Sequence, residues 1–195
     1  MTEFENAYNT VIKGSEGGYV NDPIDCGGET YKGIARNSNP RWIGWAVVDA
    51  YKMKKDFTPE MLYQDERLQV LVVEFYKEKY WDLFGGDNLN PKVATELFDQ
   101  AVNFGVSVAI EHLQRTINIL NRNAKLYPDI AVDGGYGGGT FEGYKNMMAY
   151  NKCGLVVNIL NGFQIKKYIE IMEKNHVQEK YIGWFGRVEI NKNYN

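Results

Sequence analysis

Glu16, Asp25 and Thr30 fall in one glycine-rich stretch, residues 16–34, where Gly17, Gly18, Gly27, Gly28 and Gly33 let the backbone fold tightly beside acidic side chains. Glu16 closes an apparent helix whose apolar face is Phe4, Tyr8, Val11 and Ile12. Beyond Ile12 its carboxyl is expected over apolar side chains, where lost hydration raises a carboxyl pKa. The C-terminal end of a helix dipole acts in the same direction. A carboxyl that keeps its proton near neutral pH is a general acid. Asp25 follows inside turn chemistry. A hairpin return would set the two carboxyls at the roughly 6.5–9.5 Å that lets a pair of acids hold a water between them. The same carboxylate can also accept the backbone N–H groups of Cys26 to Gly28 in an Asx turn. Asp22, before Pro23, reads as a turn residue, and Thr30 either positions water or simply occupies a strand. The plain alternative for Glu16 is a solvated helix-end glutamate; the glycines beside it favour a site.

The elements that must hold these residues are mostly helical. Thr2 and Glu5 form a capping box at the first helix start. Tyr19-Val20 and Glu29-Thr30-Tyr31 read as short extended pieces joined by turn formers, a small irregular β-hairpin. Trp42, Trp45, Val48 and Tyr51 can share a helix face, and Thr58-Pro59-Glu60 marks another start. Leu68, Leu71, Val72, Phe75 and Tyr76 follow helical spacing up to Gly85-Gly86. Asn90-Pro91 restarts the chain, and Leu97, Phe98, Ala101 and Phe104 form the next face. Helices over 108–120, after Thr140 as a cap, and over 154–174 complete six or seven in all, and Trp184 to Val188 are expected to pack back. The expected fold is mainly α with one irregular hairpin. Gly85 to Pro91 divides it into a catalytic lobe, 1–88, and a helical lobe, 89–195, packed as one body.

Composition narrows the function. The formal charge of −3 and pI of about 5.5 give no basic field for nucleic acid. No apolar run reaches the roughly 18 residues of a membrane span, and the N-terminus lacks a secretory signal. Cys26 and Cys153 make no metal-type spacing; a single bridge between them is the one disulfide they allow. His112 and His176 lack an H-E-x-x-H context, no serine sits in a G-x-S-x-G elbow, and Gly134 to Gly139 lack a phosphate-loop ending, so no metal or cofactor is implied. Trp42, Trp45, Tyr80 and Trp81 read as core residues, of which one or two can line a sugar groove.

Glu-Gly-Gly-Tyr at 16–19, followed by Asp25-x-Gly-Gly-x-Thr-x-x-Gly-Ile, resembles the glycoside hydrolase family 108 type of N-acetylmuramidase, the lysozyme-like phage endolysins and secretion-activator proteins. The order Glu, Asp, Thr, Gly-Ile is also similar to phage lysozymes of the T4 type. Tyr76 to Trp81 resembles that family's Tyr-Trp region, and Leu97 to Gly105 with Leu113-Gln114 resembles the start of its C-terminal peptidoglycan-binding region. Asp133-Gly134 with Gly137 and Thr140, and the ending Gly183 to Val188, resemble elements found there. Departures are Cys26 where proline is common and Tyr31 where asparagine is common.

The resemblance implies a peptidoglycan hydrolase that cleaves the β-1,4 bond between N-acetylmuramic acid and N-acetylglucosamine. Glu16 would be the catalytic glutamate, Asp25 and Thr30 fall where T4-type lysozymes keep their second acid and a threonine and would position the water or stabilise positive charge on the sugar, and Tyr19, Gly28 and Asn103 are the candidate substrate-binding residues. The expected partner is the glycan strand, with no nucleic acid and no membrane insertion. The chain is expected to be made in the cytoplasm and to act on the wall after release. Two other readings fit the same residues: a lytic transglycosylase working with one glutamate, and a non-catalytic wall-binding or secretion-accessory protein.

Overall fold

The computed structural model describes residues 1–12, 18–21 and 28–188. It is mainly helical with a small three-stranded antiparallel sheet, and it divides into two compact units, Met1–Lys79 and Tyr80–Asn195.

In the first unit, α1 (Glu3–Val11) starts at the expected capping box, with Thr2 and Glu5 each accepting the other's backbone N–H. Its buried face is the expected set of Phe4, Tyr8, Val11 and Ile12, joined by Ala7. The sheet runs β1 (Tyr19–Asn21), β2 (Glu29–Tyr31) and β3 (Ile34–Ala35), in that order. It exceeds the expected hairpin by its third strand. Tyr31 pairs with Ile34, so Lys32-Gly33 is a two-residue turn, and both take positive φ, 44° and 77°. That is the turn whose twist matches paired strands, and it wants glycine at the second position. The Gly-Ile pair therefore has a structural reason: Gly33 makes the turn and Ile34 enters the core fully buried.

Helix α2 (Gly44–Lys52) packs on α4 (Glu66–Tyr76), with the short α3 (Glu60–Gln64) between them in sequence. Trp42 precedes α2 rather than sharing its face, and its ring stacks on Tyr31. The stretch 60–76 breaks because Asp65 is extended and caps α4 through Leu68 N–H, 2.7 Å. A π-helical turn, Lys77–Trp81, follows.

In the second unit, α5 (Pro91–Phe104) starts on the Asn90 side chain and ends at Gly105, where α6 (Val106–Leu120) begins. Then come α7 (Gly138–Tyr150), α8 (Cys153–Lys174) and a 3-10 segment, His176–Arg187. Helix α5 packs against α6 and α8, and α6 packs against α7 and α8. Trp184 and Phe185 pack on Tyr168, as expected of the ending. Thr140 is not the cap of α7: it is the third residue of the helix, and its hydroxyl donates to the Gly135 carbonyl at 3.1 Å. Cys153 is a free thiol, while Cys26 lies outside the described residues.

Candidate active site

Glu16 and Asp25 lie outside the described residues, as do Asp22 and Cys26. The ends of the two connections that carry them are well defined. The first connection leaves α1 after Ile12 and rejoins at Gly18, whose carbonyl accepts Lys32 N–H at 3.2 Å. The second leaves β1 at Asn21 and rejoins at Gly28, beside Glu29, which is the β-ladder partner of Asn21. Both connections thus start or finish on the same three-stranded sheet.

Two glycines of the motif are required by close approach. A Cβ on Gly18 would fall 1.8 Å from the Tyr63 hydroxyl, the same hydroxyl that accepts Tyr19 N–H at 2.8 Å. Gly28 has φ of 63°, and a Cβ there would fall 2.9 Å from the Asn37 amide nitrogen. Thr30 pairs with Val20, and its hydroxyl donates to the Gly28 carbonyl at 3.2 Å. It therefore braces the point where the Asp25 connection rejoins the sheet. Tyr19 lies on β1 and Thr30 on β2, and Gly28 immediately precedes β2. Asn103 is on α5 in the second unit, donating to the carbonyl and carboxylate of Asp99 at 2.8 and 3.1 Å.

Sequence reasoning missed Glu29. It is only 8% exposed and accepts three donors: the Tyr19 hydroxyl and Lys52 Nζ, each at 2.6 Å, and the Arg36 guanidinium. Arg36 also grips Asp49 with two bonds of 2.8 and 2.5 Å, and its plane lies 4.8 Å from the Trp45 ring. Burial pushes the Glu29 carboxyl up, but the bonds from Lys52, Tyr19 and Arg36 outweigh it and hold the carboxyl below its ordinary value. The Glu29 hydrogen bond holds Lys52 above its own. This network ties the Tyr19 ring to β2 and to α2 immediately next to Thr30. The available signal was an acid inside a strand-like triplet with Arg36 and Lys52 following.

A polar groove of about 670 Å³ opens on the same unit, lined by residues 37–43 and by Glu74, Phe75, Glu78 and Lys79. Asn37, which crowds Gly28, stands in its wall, as does the half-exposed ring of Trp42. The expectation that one of the tryptophans lines a groove rather than the core fits Trp42, while Trp45 and Trp81 are buried.

The second unit holds its own polar centre. Buried Gln100 donates to Glu96 at 2.6 Å and to the Leu160 carbonyl at 2.9 Å, and its oxygen meets His112 Nδ1 at 2.6 Å. Loss of hydration, reinforced by Asp99 and opposed by the Gln100 bond, pushes Glu96 up to about 7. Burial, with Lys167 and Arg115 nearby, pushes His112 down to about 4. The two slopes oppose each other. Raised Glu96 costs stability as pH climbs from about 4.5 to 7, whereas lowered His112 costs stability as pH falls from about 6.5 to 4. Glu96→Gln is therefore expected to stabilise the protein by about 1–2 kcal/mol at pH 8 and by almost nothing at pH 4. Urea unfolding at the two pH values measures it.

Gln114, almost fully buried, organises the loop before α7. Its oxygen accepts the N–H groups of Asp133 and Gly134 at 3.0 Å, and its amide donates to Asp133, Gly135 and Thr140 at 2.8–3.1 Å. The Asp-Gly-x-x-Gly-x-x-Thr element is thus a cradle closed around Gln114. It is a turn leading into α7, as read from the sequence, without the Thr140 cap read there. Among the described residues no group of three His, Cys, Asp or Glu side chains could hold a metal, and no helix is long and apolar enough to cross a membrane.

The class of protein follows from comparison with known families. Residues 9–105 match the Glycosyl hydrolase 108 family, and residues 108–189 match a family described as Predicted Peptidoglycan domain. The chain carries a domain of glycosyl hydrolase family 108, followed by a predicted peptidoglycan domain. The first match takes in Leu97 to Gly105, read from the sequence as the start of the second region. A solved structure, "Structure of Brucella abortus SagA", is similar at a TM-score of 0.59 and 23% identity, over 95% of this chain and 88% of that one. At that identity the likeness is one of fold. No curated protein matches the chain.

Proposed function

We propose that this glycoside hydrolase cleaves the β-1,4 bond between N-acetylmuramic acid and N-acetylglucosamine in peptidoglycan. The Glu16 carboxyl gives its proton to the glycosidic oxygen as the C–O bond breaks. Positive charge develops on the sugar ring, and water attacks from the opposite face. Asp25 takes a proton from that water, and Thr30 holds the backbone at Gly28 where the Asp25 connection returns. Tyr19, Gly28 and Asn103 are the candidate substrate contacts. The groove that Asn37 shares with Trp42 offers amides and a flat ring to successive sugars. Peptidoglycan outside the membrane is the substrate, reached after release of the protein.

The observation that supports this reading is the Glycosyl hydrolase 108 match over residues 9–105, the span of the sequence in which Glu16 and Asp25 occur. Digestion of purified peptidoglycan followed by borohydride reduction tests the bond. Muramitol ends are expected. Glucosaminitol ends would move the cleavage to the other linkage, anhydro-muramic ends would make the protein a lytic transglycosylase, and no products would leave it a wall-binding protein.

A further inference from the structure

Helices α6 and α8 leave between them a groove of about 180 Å³ whose floor is His112 and whose wall is Phe163. The two rings are stacked, 5.0 Å apart and 12° from parallel. The rim carries Arg115, Lys166 and Lys167 together with Glu111 and Glu170. Lys166 is engaged by Glu170 at 3.7 Å, and Arg115 and Lys167 are the other cations of the rim.

The buried floor has a defined hydrogen-bonding character. The Gln100 amide nitrogen is spent on Glu96 and on the Leu160 carbonyl, so its oxygen must accept from His112 Nδ1–H. That fixes the tautomer and leaves Nε2 as an acceptor. His112 is 92% buried from its 8% exposure, so the ring is held rather than free to swing. The groove therefore combines an acceptor for an N–H or O–H, an aromatic wall, a guanidinium and an ammonium suited to a carboxylate, and an acid, Glu111, suited to an amine.

We propose that this groove binds the peptide part of the wall polymer, taking a peptide carboxylate on Arg115 and Lys167 and a peptide N–H on His112 Nε2. Glycan hydroxyls alone would leave the two cations without a counter-charge. A stem peptide supplies carboxylate, amine and N–H groups within one short chain, which matches the mixed charge of the rim. The proposal rests on the reading of the chain as a wall hydrolase, and it assigns the second unit the task of choosing strands whose peptides are intact.

The test measures binding of the full chain carrying Glu16→Gln, so that hydrolysis does not blur the result. Three preparations serve as probes: intact sacculi, sacculi whose peptides have been removed by an amidase, and sacculi freed of phosphate polymers by hydrofluoric acid. At least tenfold weaker binding is expected after amidase treatment, with no change after acid treatment. The pair Arg115→Glu and Lys167→Glu, at an exposed and a half-buried position, is expected to weaken binding to intact sacculi by a similar factor, with unchanged far-ultraviolet circular dichroism. Peptides released by the amidase should compete with sacculi for the protein without these substitutions. Undiminished binding to stripped glycan, loss of binding only with phosphate, or absence of peptide competition would overturn the proposal. Failure of the hydrolase reading shows separately, as no products from the unsubstituted chain.

Discussion

Replacing Glu29 by alanine is expected to destabilise the first unit by about 2–3 kcal/mol, one of the largest single-residue effects on its stability. Removing one partner of a buried ion pair costs roughly 3–5 kcal/mol. Here the two cations are only partly buried, with Arg36 29% and Lys52 33% exposed, and Arg36 keeps Asp49, so the lower figure applies. The Tyr19 hydroxyl also loses its acceptor. The pH dependence separates this account from a simple packing defect. The Glu29 carboxyl is held below its ordinary value of 4.5 in the fold, so its contribution is complete above that pH and is lost as pH falls through the lower folded value. Asp49, held down by Arg36, acts in the same sense. Urea midpoints of the unsubstituted protein and Glu29→Gln should therefore be well separated at pH 7 and draw together as pH falls below 4.5 toward the lowered folded value. A constant gap from pH 7 to pH 3 would contradict the charge network.

The second large effect is on turnover. Glu16→Gln is expected to lower kcat by about 10²–10⁴-fold, the usual contribution of a positioned proton donor. Glutamine preserves the size and polarity of the side chain but has no proton of the right acidity to give. The connection carrying Glu16 is bounded by Ile12, buried in the core, and by Gly18, fitted under Tyr63. Neither anchor is an ionised side chain, so the thermal midpoint is expected to stay nearly unchanged. Thr30→Val, by contrast, removes the bond to the Gly28 carbonyl without touching a proton, and its loss of rate should be smaller than that of Glu16→Gln.

Much of the scaffold was legible because local signals coincide with tertiary need. The Thr2 and Glu5 box, the α1 face and the Asn90-Pro91 start are read from neighbours a few residues apart, and the structure repeats them. The misreadings share a different cause. Asp65 splits 60–76 because one side chain can cap α4 and also accept from Tyr51, a contact made across the unit. Gln114 looks like an ordinary polar position of α6, yet a loop some twenty residues later folds around it, which also explains why Thr140 is bound to Gly135 instead of capping α7. Arg122, Asn123 and Ala124 all take left-handed φ of 56–61°, at roughly 1–2 kcal/mol each, with Asn121 accepting Ala124 N–H to hold the turn; nothing in those residue types announces it. Glu29 escaped notice because its partners, Tyr19, Arg36 and Lys52, come from three separate elements. Acids among crowded glycines stand out in the sequence, a pattern that points to Glu16 and Asp25 but not to the buried carboxylate of Glu29.

In the proposed mechanism a proton from Glu16 drives cleavage of the wall glycan. The most direct test sets the unsubstituted protein and Glu16→Gln side by side on purified peptidoglycan, counting new reducing ends over time and checking both proteins for equal thermal midpoints. The account predicts steady release of reducing ends by the former and at least a hundredfold slower release by the latter, with both proteins folded. Equal rates from two equally folded proteins would contradict it.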